Sequence, residues 1–113
     1  LDRARRAFEQ HRDGDALGDL RRVLFLAPYH GDALLLTGQV HRRAGRLQEA
    51  IASLRIALWS GESVAGHLAL ADVLLAAQDA PAARAEAQRA LEMDPANAEA
   101  RALLARIDQA GVR

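Results

Sequence analysis

The chain has no cysteine, which excludes disulfide bonds and thiolate metal sites. It also has no lysine, since all 15 basic residues among its 113 are arginine. Aromatic residues make up only 4% of the chain, whereas alanine is abundant. No apolar run approaches the ~18 residues of a membrane-spanning helix, and no signal-peptide pattern opens the sequence. We therefore predict no membrane insertion and a helix-prone chain, because alanine has the highest helix propensity.

The charges of the chain are balanced. Its 15 acidic residues cancel the 15 arginines, so the net charge is zero. Nucleic acids and anionic membrane surfaces attract proteins that carry a basic face. We therefore predict no nucleic-acid partner, and the composition disfavours an RNA-binding helical repeat.

The sequence repeats itself with a period of about 34 residues, the length typical of helix-turn-helix units. The segment Pro28–Ala33 returns in similar form two periods later, as Pro95–Ala100. Leu24, Leu58 and Leu91 occupy equivalent positions of successive copies. A fixed period of this kind indicates stacked units, none of which buries its apolar face alone.

Turn-forming residues divide the chain into seven predicted helices. Apolar residues within these segments recur at helical spacing, and nothing alternates with the period of a strand. The predicted fold class is therefore all-α. The predicted boundaries lie at Asp13-Gly14-Asp15, Pro28-Tyr29-His30, Gly45, Ser60-Gly61-Glu62-Ser63, Gln78-Asp79-Ala80-Pro81, Pro95-Ala96-Asn97, and Gly111. Asp79 and Asn97 are predicted to cap the helices that follow them.

The residues that carry a family resemblance lie in the second and third units. The second unit has Leu34, Thr37-Gly38, His41, Gly45, Ala50, Leu54, Ala57 and Leu58, and the third has Leu70-Ala71, Leu74, Ala83, Ala90-Leu91 and Asp94-Pro95. In these motifs the chain resembles the tetratricopeptide repeat family. The resemblance implies a right-handed superhelical solenoid of about seven helices in a single domain, 1–113. We expect repeats at about 1–29, 30–63 and 64–96, and a capping helix at 97–110.

Small residues recur where the resemblance brings two helix backbones together. Gly38, Ala50 and Ala83 are among them, and a larger side chain there is expected to overpack the core. His41 is expected to fill a core position beside Gly38. Trp59 is expected to supply the apolar contact before the second junction, which lacks the usual proline.

No arrangement of residues indicates catalysis or metal binding. The few hydroxyl side chains lie outside any nucleophile motif, and the four histidines form no pair at helical spacing. Asp13, Asp15 and Asp19 lack the closing glutamate of a calcium loop and are better suited to start a helix. We predict a non-enzymatic protein without a cofactor.

The remaining chemistry is recognition of a protein or peptide. The resemblance implies that the first helices of successive repeats line a concave groove. Apolar centres with scattered guanidinium groups suit an amphipathic helix or an extended peptide with acidic flanks. The alternative interpretation is an ordinary solvated arginine face. The predicted groove residues are Leu35, Gln39, Arg42, Arg43, Leu68, Asp72, Leu75 and Arg106.

The predicted function is a protein–protein interaction module, a rigid scaffold that presents a groove to a partner. A structural spacer or self-association module within a larger protein is the alternative, so a homo-oligomer stays open. Chaperone-binding repeats capture a C-terminal carboxylate with lysine and asparagine, and this use is disfavoured because Leu36, Ala65 and Ala69 occupy the candidate positions.

The origin and location of the protein are inferred from composition and from its first residue. The arginine and alanine content suggests a bacterial source. The chain begins with leucine, so we expect a piece of a longer protein. A cytoplasmic location is favoured, with a periplasmic one as the alternative.

Overall fold

A computed structural model describes residues 1–111, with side chains through Ala110. Within these residues the chain forms seven helices and no strand, which confirms the predicted all-α helical repeat fold. None of the described helices is both long and apolar enough to cross a membrane. The helices are α1 (Asp2–Glu9), α2 (Asp13–Leu26), α3 (Gly31–Arg43), α4 (Leu47–Ser60), α5 (Val64–Ala76), α6 (Ala80–Met93) and α7 (Ala98–Gly111).

The first compact unit, Leu1–Gly61, contains α1 to α4. Helix α1 packs on α2 and α3 packs on α4, while α2 also contacts α3. Small side chains let these helices approach closely, because alanine adds little bulk between backbones. The core where α1, α2 and α3 meet includes Ala4, Ala7, Ala16, Leu20, Ala33 and Val40.

The second compact unit begins at Glu62 and contains α5 to α7. Helix α6 packs against both α5 and α7, and α5 also touches α7. Apart from His67, its buried side chains are again aliphatic or small, and they include Leu70, Val73, Ala83, Ala87, Ala90 and Ile107. The single-domain assignment and the repeat boundaries given above stay predictions.

Three helix ends share one turn geometry, the Schellman motif, in which a left-handed residue follows the helix. That residue is His11 after α1, Gly45 after α3 and Gln78 after α5, with φ of 59°, 80° and 64°. Glycine adopts this conformation without steric cost, and the predicted helix stop at Gly45 is confirmed. The next backbone N–H donates to a carbonyl five residues earlier, in the pairs Arg12–Ala7 (2.8 Å), Arg46–His41 (2.9 Å) and Asp79–Leu74 (2.9 Å).

The first of these turns corrects the predicted break at Asp13-Gly14-Asp15. The chain turns at 10–12, and α2 already begins at Asp13. The glycine there is a misleading signal, because His11 takes the left-handed position that most residues avoid. Asp13 and Asp15 lie in the first turn of α2, as the helix-starting interpretation predicts.

Side-chain caps open four of the described helices. The side chains of Asp79 and Asn97 accept from the backbone N–H three residues later, at 3.2 and 2.9 Å, which confirms both predicted caps. Pro81 lies in the first turn of α6, where its missing N–H costs nothing. His30 and Ser63 are caps that the sequence analysis missed, and they accept in the same way at 3.2 and 2.9 Å.

Gly38 lies where α3 approaches α4 closely. A Cβ atom placed on Gly38 would be only 2.6 Å from Cγ of Leu54, whose side chain is fully buried. The predicted need for a small residue at this position is therefore confirmed. Ala50 on α4 and Ala83 on α6 are fully buried as well.

Two predicted apolar contacts differ from the structure. His41 is half-buried rather than a core residue, and its Nδ1 accepts a hydrogen bond from Nε of Arg46 at 2.8 Å. Partial burial and the neighbouring Arg46 lower the pKa of His41. Trp59 is largely exposed, with its ring edge-on to Tyr29 at a centroid distance of 5.4 Å.

Replacing Ala50 or Ala83 by leucine is expected to destabilise the fold by about 1–3 kcal/mol, because neither site has room for a larger side chain. Chemical denaturation followed by far-UV circular dichroism measures the change. Ala52 and Ala85 are exposed on the same two helices, so their leucine variants are matched controls. Equal stability of the buried-site and exposed-site variants would contradict this packing.

Adding a side chain at one left-handed position and removing one at another are expected to change the stability of the fold in opposite directions. Gly45→Ala is expected to lose about 1 kcal/mol through backbone strain alone, since an added Cβ meets no atom within 4 Å. Gln78→Gly is expected to gain about 0.5–1 kcal/mol, because relief of strain exceeds the entropic cost of glycine. Thermal melts compare the two variants with wild type. Melting temperatures that shift in the same direction would contradict strain at the left-handed positions as the cause.

Candidate functional site

Three of the predicted groove residues lie along one side of α3, in the first unit. Leu35 and Arg42 are half-buried, and Gln39 between them is exposed. Their spacing of four and three residues places them on a single face of the helix. We call Leu35, Gln39 and Arg42 the α3 face. It presents one apolar side chain, one amide and one guanidinium group.

Arg43 has contacts of a different kind. Its guanidinium carbon lies 3.8 Å from the centroid of the Phe8 ring, and its Nη2 donates to the carbonyl oxygen of Phe8 at 2.7 Å. The same guanidinium group forms an ion pair with Asp13 and donates hydrogen bonds to its carboxylate. These hydrogen bonds are the main cause of the lowered pKa of Asp13. Arg43 therefore ties the end of α3 to the turn between α1 and α2.

The other four predicted groove residues lie in the second unit. Leu68 is buried in α5, so its side chain is not presented to a partner. Asp72 on α5 and Arg106 on α7 form an ion pair, with 3.9 Å between Oδ1 and Nη2. Leu75, one turn further along α5, borders an open depression together with Arg106 of α7. The structure thus places Asp72 and Leu75 of α5 near Arg106 of α7, whereas Leu68 belongs to the core.

An open depression of about 630 Å³ lies at this end of the second unit. Leu75 gives it an apolar wall, and Arg106 borders it with a side chain that is 62% exposed. We call this feature the unit 2 depression. Its lining consists of Leu75, Gln78, Ala80, Arg106, Gln109 and Ala110.

A buried histidine in the second unit escaped the sequence analysis. His67 is 7% exposed and lies between two carboxylates, with Nδ1 2.6 Å from Glu86 and Nε2 2.7 Å from Glu62. Each ring nitrogen of His67 is thus within hydrogen-bond distance of a carboxylate oxygen, so neither is left without a partner. His67 could have been recognised from the sequence, because it lies within the apolar sequence of α5 and a buried polar side chain requires hydrogen-bond partners.

Arg89 completes this cluster. It donates from Nε and Nη2 to the two oxygens of Glu62, at 2.6 and 2.9 Å. Hydrogen bonds from Arg89 and then His67 lower the pKa of Glu62 to about 2. Since Glu62 precedes α5 and Arg89 lies on α6, the cluster links the start of one helix to the last turns of another. No group of three potential metal ligands in the described residues is arranged to hold an ion.

Comparison with known proteins identifies the family. Residues 1–64 and 68–107 match the family model of the tetratricopeptide repeat. The chain belongs to the tetratricopeptide repeat family. Members of this family are generally non-enzymatic modules for protein–protein interaction. No curated protein sequence matches the chain.

Solved structures of tetratricopeptide repeat domains share this fold at low sequence identity. The first such domain of Spaghetti (RPAP3), bound to an HSP90 peptide, has a TM-score of 0.94 at 19% identity, over 99% of this chain and 90% of that one. The first such domain of human RPAP3 has a TM-score of 0.94 at 20% identity, over 98% and 88% of the two chains. The tetratricopeptide repeat domain of Arabidopsis OM64 has a TM-score of 0.90 at 15% identity, over 96% of this chain and 90% of that one.

The Glu62 carboxylate is expected to stabilise the fold in a pH-dependent way. Its pKa is lower in the folded chain than the ordinary 4.5, so its contribution is complete above pH 4.5 and is lost as the pH falls through about 2. Glu62→Gln should therefore melt below wild type at neutral pH, with a difference that shrinks on acidification.

Thermal melts between pH 7 and pH 2 measure this difference. Glu9→Gln is the control, because Glu9 is exposed and lies at the end of α1 in the other unit. A Glu62→Gln difference that stayed constant down to pH 2 would exclude the ion cluster as its cause.

Proposed function

We propose that this chain is a non-enzymatic binding module for a peptide or helix of a partner protein, and that the α3 face and the unit 2 depression are each a contact surface. The observation that carries the proposal is the pairing of Leu75 with Arg106 around an open depression. An apolar wall beside an exposed guanidinium group suits a leucine-like anchor next to an acidic residue.

The geometry of Arg106 supports an acidic ligand. Its Nη2 lies 3.9 Å from Asp72, which is an ion pair beyond hydrogen-bond distance. A partner carboxylate could therefore accept from the guanidinium group with better geometry than Asp72 does. Arginine donors arranged as a fork favour such bidentate contacts.

The α3 face offers similar chemistry in the first unit. Leu35 supplies apolar surface, Gln39 is an exposed donor and acceptor, and Arg42 adds a cation. We leave Arg43 and Leu68 out of the proposed surface. Arg43 is occupied by Phe8 and Asp13, and Leu68 is buried.

The proposed ligand is not a C-terminal carboxylate held by lysine side chains. The Spaghetti domain with the same fold is bound to an HSP90 peptide, but the shared identity is only 19%. This chain has no lysine, and Leu36, at one of the candidate clamp positions, is buried. The proposed ligand is therefore a segment with internal leucine-like and acidic side chains.

Substitution at the unit 2 depression tests the proposal. A partner captured with the intact chain and identified by mass spectrometry is titrated calorimetrically against wild type, Leu75→Ser and Arg106→Glu. Each variant is expected to weaken binding about tenfold or more, the usual effect of losing an interface anchor, without changing helical content. Gln88→Glu on the exposed side of α6 is the control and should bind as wild type does.

If substitutions at Leu75, Arg106 and Arg42 all left the affinity for the partner unchanged, the assignment of these surfaces would be refuted. Static light scattering over a concentration series addresses the self-association alternative. A monomer at all concentrations is expected, and a concentration-dependent mass would favour the alternative.

A further inference from the structure

The exposed aromatic residues of this chain all lie in the first unit, at or just after the ends of α2 and α4. Only four aromatic residues occur in the sequence, and three of them are mostly exposed: Phe25 (85%), Tyr29 (62%) and Trp59 (77%). Leu26, beside Phe25, is 83% exposed. Large exposed apolar side chains in a group are uncommon on a soluble surface and mark interaction sites.

Two of these rings repeat with the period of the sequence. Phe25 and Trp59 occupy the same position of successive repeats, and each is preceded four residues earlier by an arginine, Arg21 and Arg55. A spacing of four places each arginine one turn before its ring on the same side of the helix. The corresponding positions of the third repeat hold Gln88 and Glu92, so the pattern is confined to α2 and α4.

The structure brings the ends of these helices together. The rings of Tyr29, in the turn after α2, and Trp59, near the end of α4, meet edge to face at 5.4 Å and an angle of 69°. A Cβ placed on Gly31, the first residue of α3, would lie 3.5 Å from Oγ of Ser60, so the start of α3 also lies close to the last residue of α4. The aromatic side chains of the turn and of α4 therefore form one surface.

The two arginines of the pattern form no ion pair with any carboxylate of the described residues. Their neighbour Arg22, by contrast, donates to Asp19 at 2.9 Å. Arg21 and Arg55 are both exposed. Two cations, each one helical turn before an exposed ring, thus lack an acidic partner in the part of the chain that the structure describes.

We infer that Arg21, Phe25, Tyr29, Arg55 and Trp59, the Arg–aromatic face, form a second docking surface, which binds an acidic amphipathic segment of a partner protein. The rings would cover the apolar side chains of that segment, and the two arginines would pair with its carboxylates. Tryptophan, tyrosine and arginine are the residues that most often carry binding energy at protein interfaces. This surface is distinct from the α3 face and the unit 2 depression.

Charge complementarity selects this occupant over a nucleic acid or a membrane. Two cations on a chain of zero net charge are too few for the electrostatic attraction on which those polyanions depend. They are sufficient for one or two carboxylates at helical spacing. The rings then provide the apolar contact area that such a short segment needs.

Trp59 provides the experiment, because it is the only tryptophan of the chain and lies within the proposed surface. Its fluorescence is followed during titration with a synthetic helical peptide that carries leucines on one side and glutamates beside them. The expected result is a saturable blue shift with protection from acrylamide quenching. Matched peptides with glutamine for glutamate, or serine for leucine, should bind about tenfold more weakly, the effect of losing an anchor.

Variants locate the binding. Phe25→Ala and the double variant Arg21→Glu/Arg55→Glu retain Trp59 and are expected to weaken the acidic peptide about tenfold. Met93→Ala and Arg6→Glu are the matched controls at exposed positions elsewhere and should bind as wild type does. Far-UV circular dichroism verifies that each variant is folded.

Four results would overturn the inference. The first is an unchanged Trp59 emission with the acidic peptide. The second is equal binding of the glutamine peptide or of the double arginine variant, which would indicate apolar adhesion alone. The third is an equal emission shift with anionic phosphatidylserine vesicles or a single-stranded RNA. The fourth is a shift that follows protein concentration without peptide, with a matching mass increase in light scattering, which would assign the surface to a second copy.

Discussion

Close approach of helix backbones is the constraint on which the rest of this structure depends. Leu54 is fully buried, and its branched end occupies the space that a side chain on Gly38 would need. In both units the buried residues combine alanine with larger aliphatic side chains. Such packing leaves little room for error, because interiors are as dense as organic crystals. It also explains why a chain with 4% aromatic residues can form a core.

Polar residues contribute mainly at the helix ends, where backbone groups lack partners within the helix. Caps at His30, Ser63, Asp79 and Asn97 accept from N–H groups that lack a helical partner at four helix starts. In the second unit the His67 cluster adds side-chain bonds that connect α5 to α6. Short turns and caps fix the helix directions, and the helix faces then present the side chains available for recognition.

The architecture could be predicted because it depends on features that a sequence displays directly. A period of about 34 residues, alanines at repeated positions and the turn residue Gly45 are visible without any coordinates. The first break was misplaced at Asp13-Gly14-Asp15, because strain at His11 is set by the closing of the turn and not by local propensity. Of the two caps that were missed, Ser63 is a residue type favoured at that position and was predictable, whereas histidine is not among the usual caps.

The candidate site was less predictable, because residues on one helix face need not share the same environment. Periodicity groups Leu68 with Asp72 and Leu75, yet the first is buried and the other two are half-exposed. Arg43 belongs to the first unit's structure through Phe8 and Asp13, which lie 35 and 30 residues away in the sequence. Such contacts follow from tertiary packing, so single-helix patterns do not reveal them.

The uneven distribution of rings has a spectroscopic consequence. Every tryptophan, tyrosine and phenylalanine lies within residues 1–59, so the second unit contains no chromophore of this kind. Near-ultraviolet signals therefore report on the first unit alone, while backbone circular dichroism sums over both. If the two units melt at different temperatures, the two optical methods will give different midpoints for the same sample.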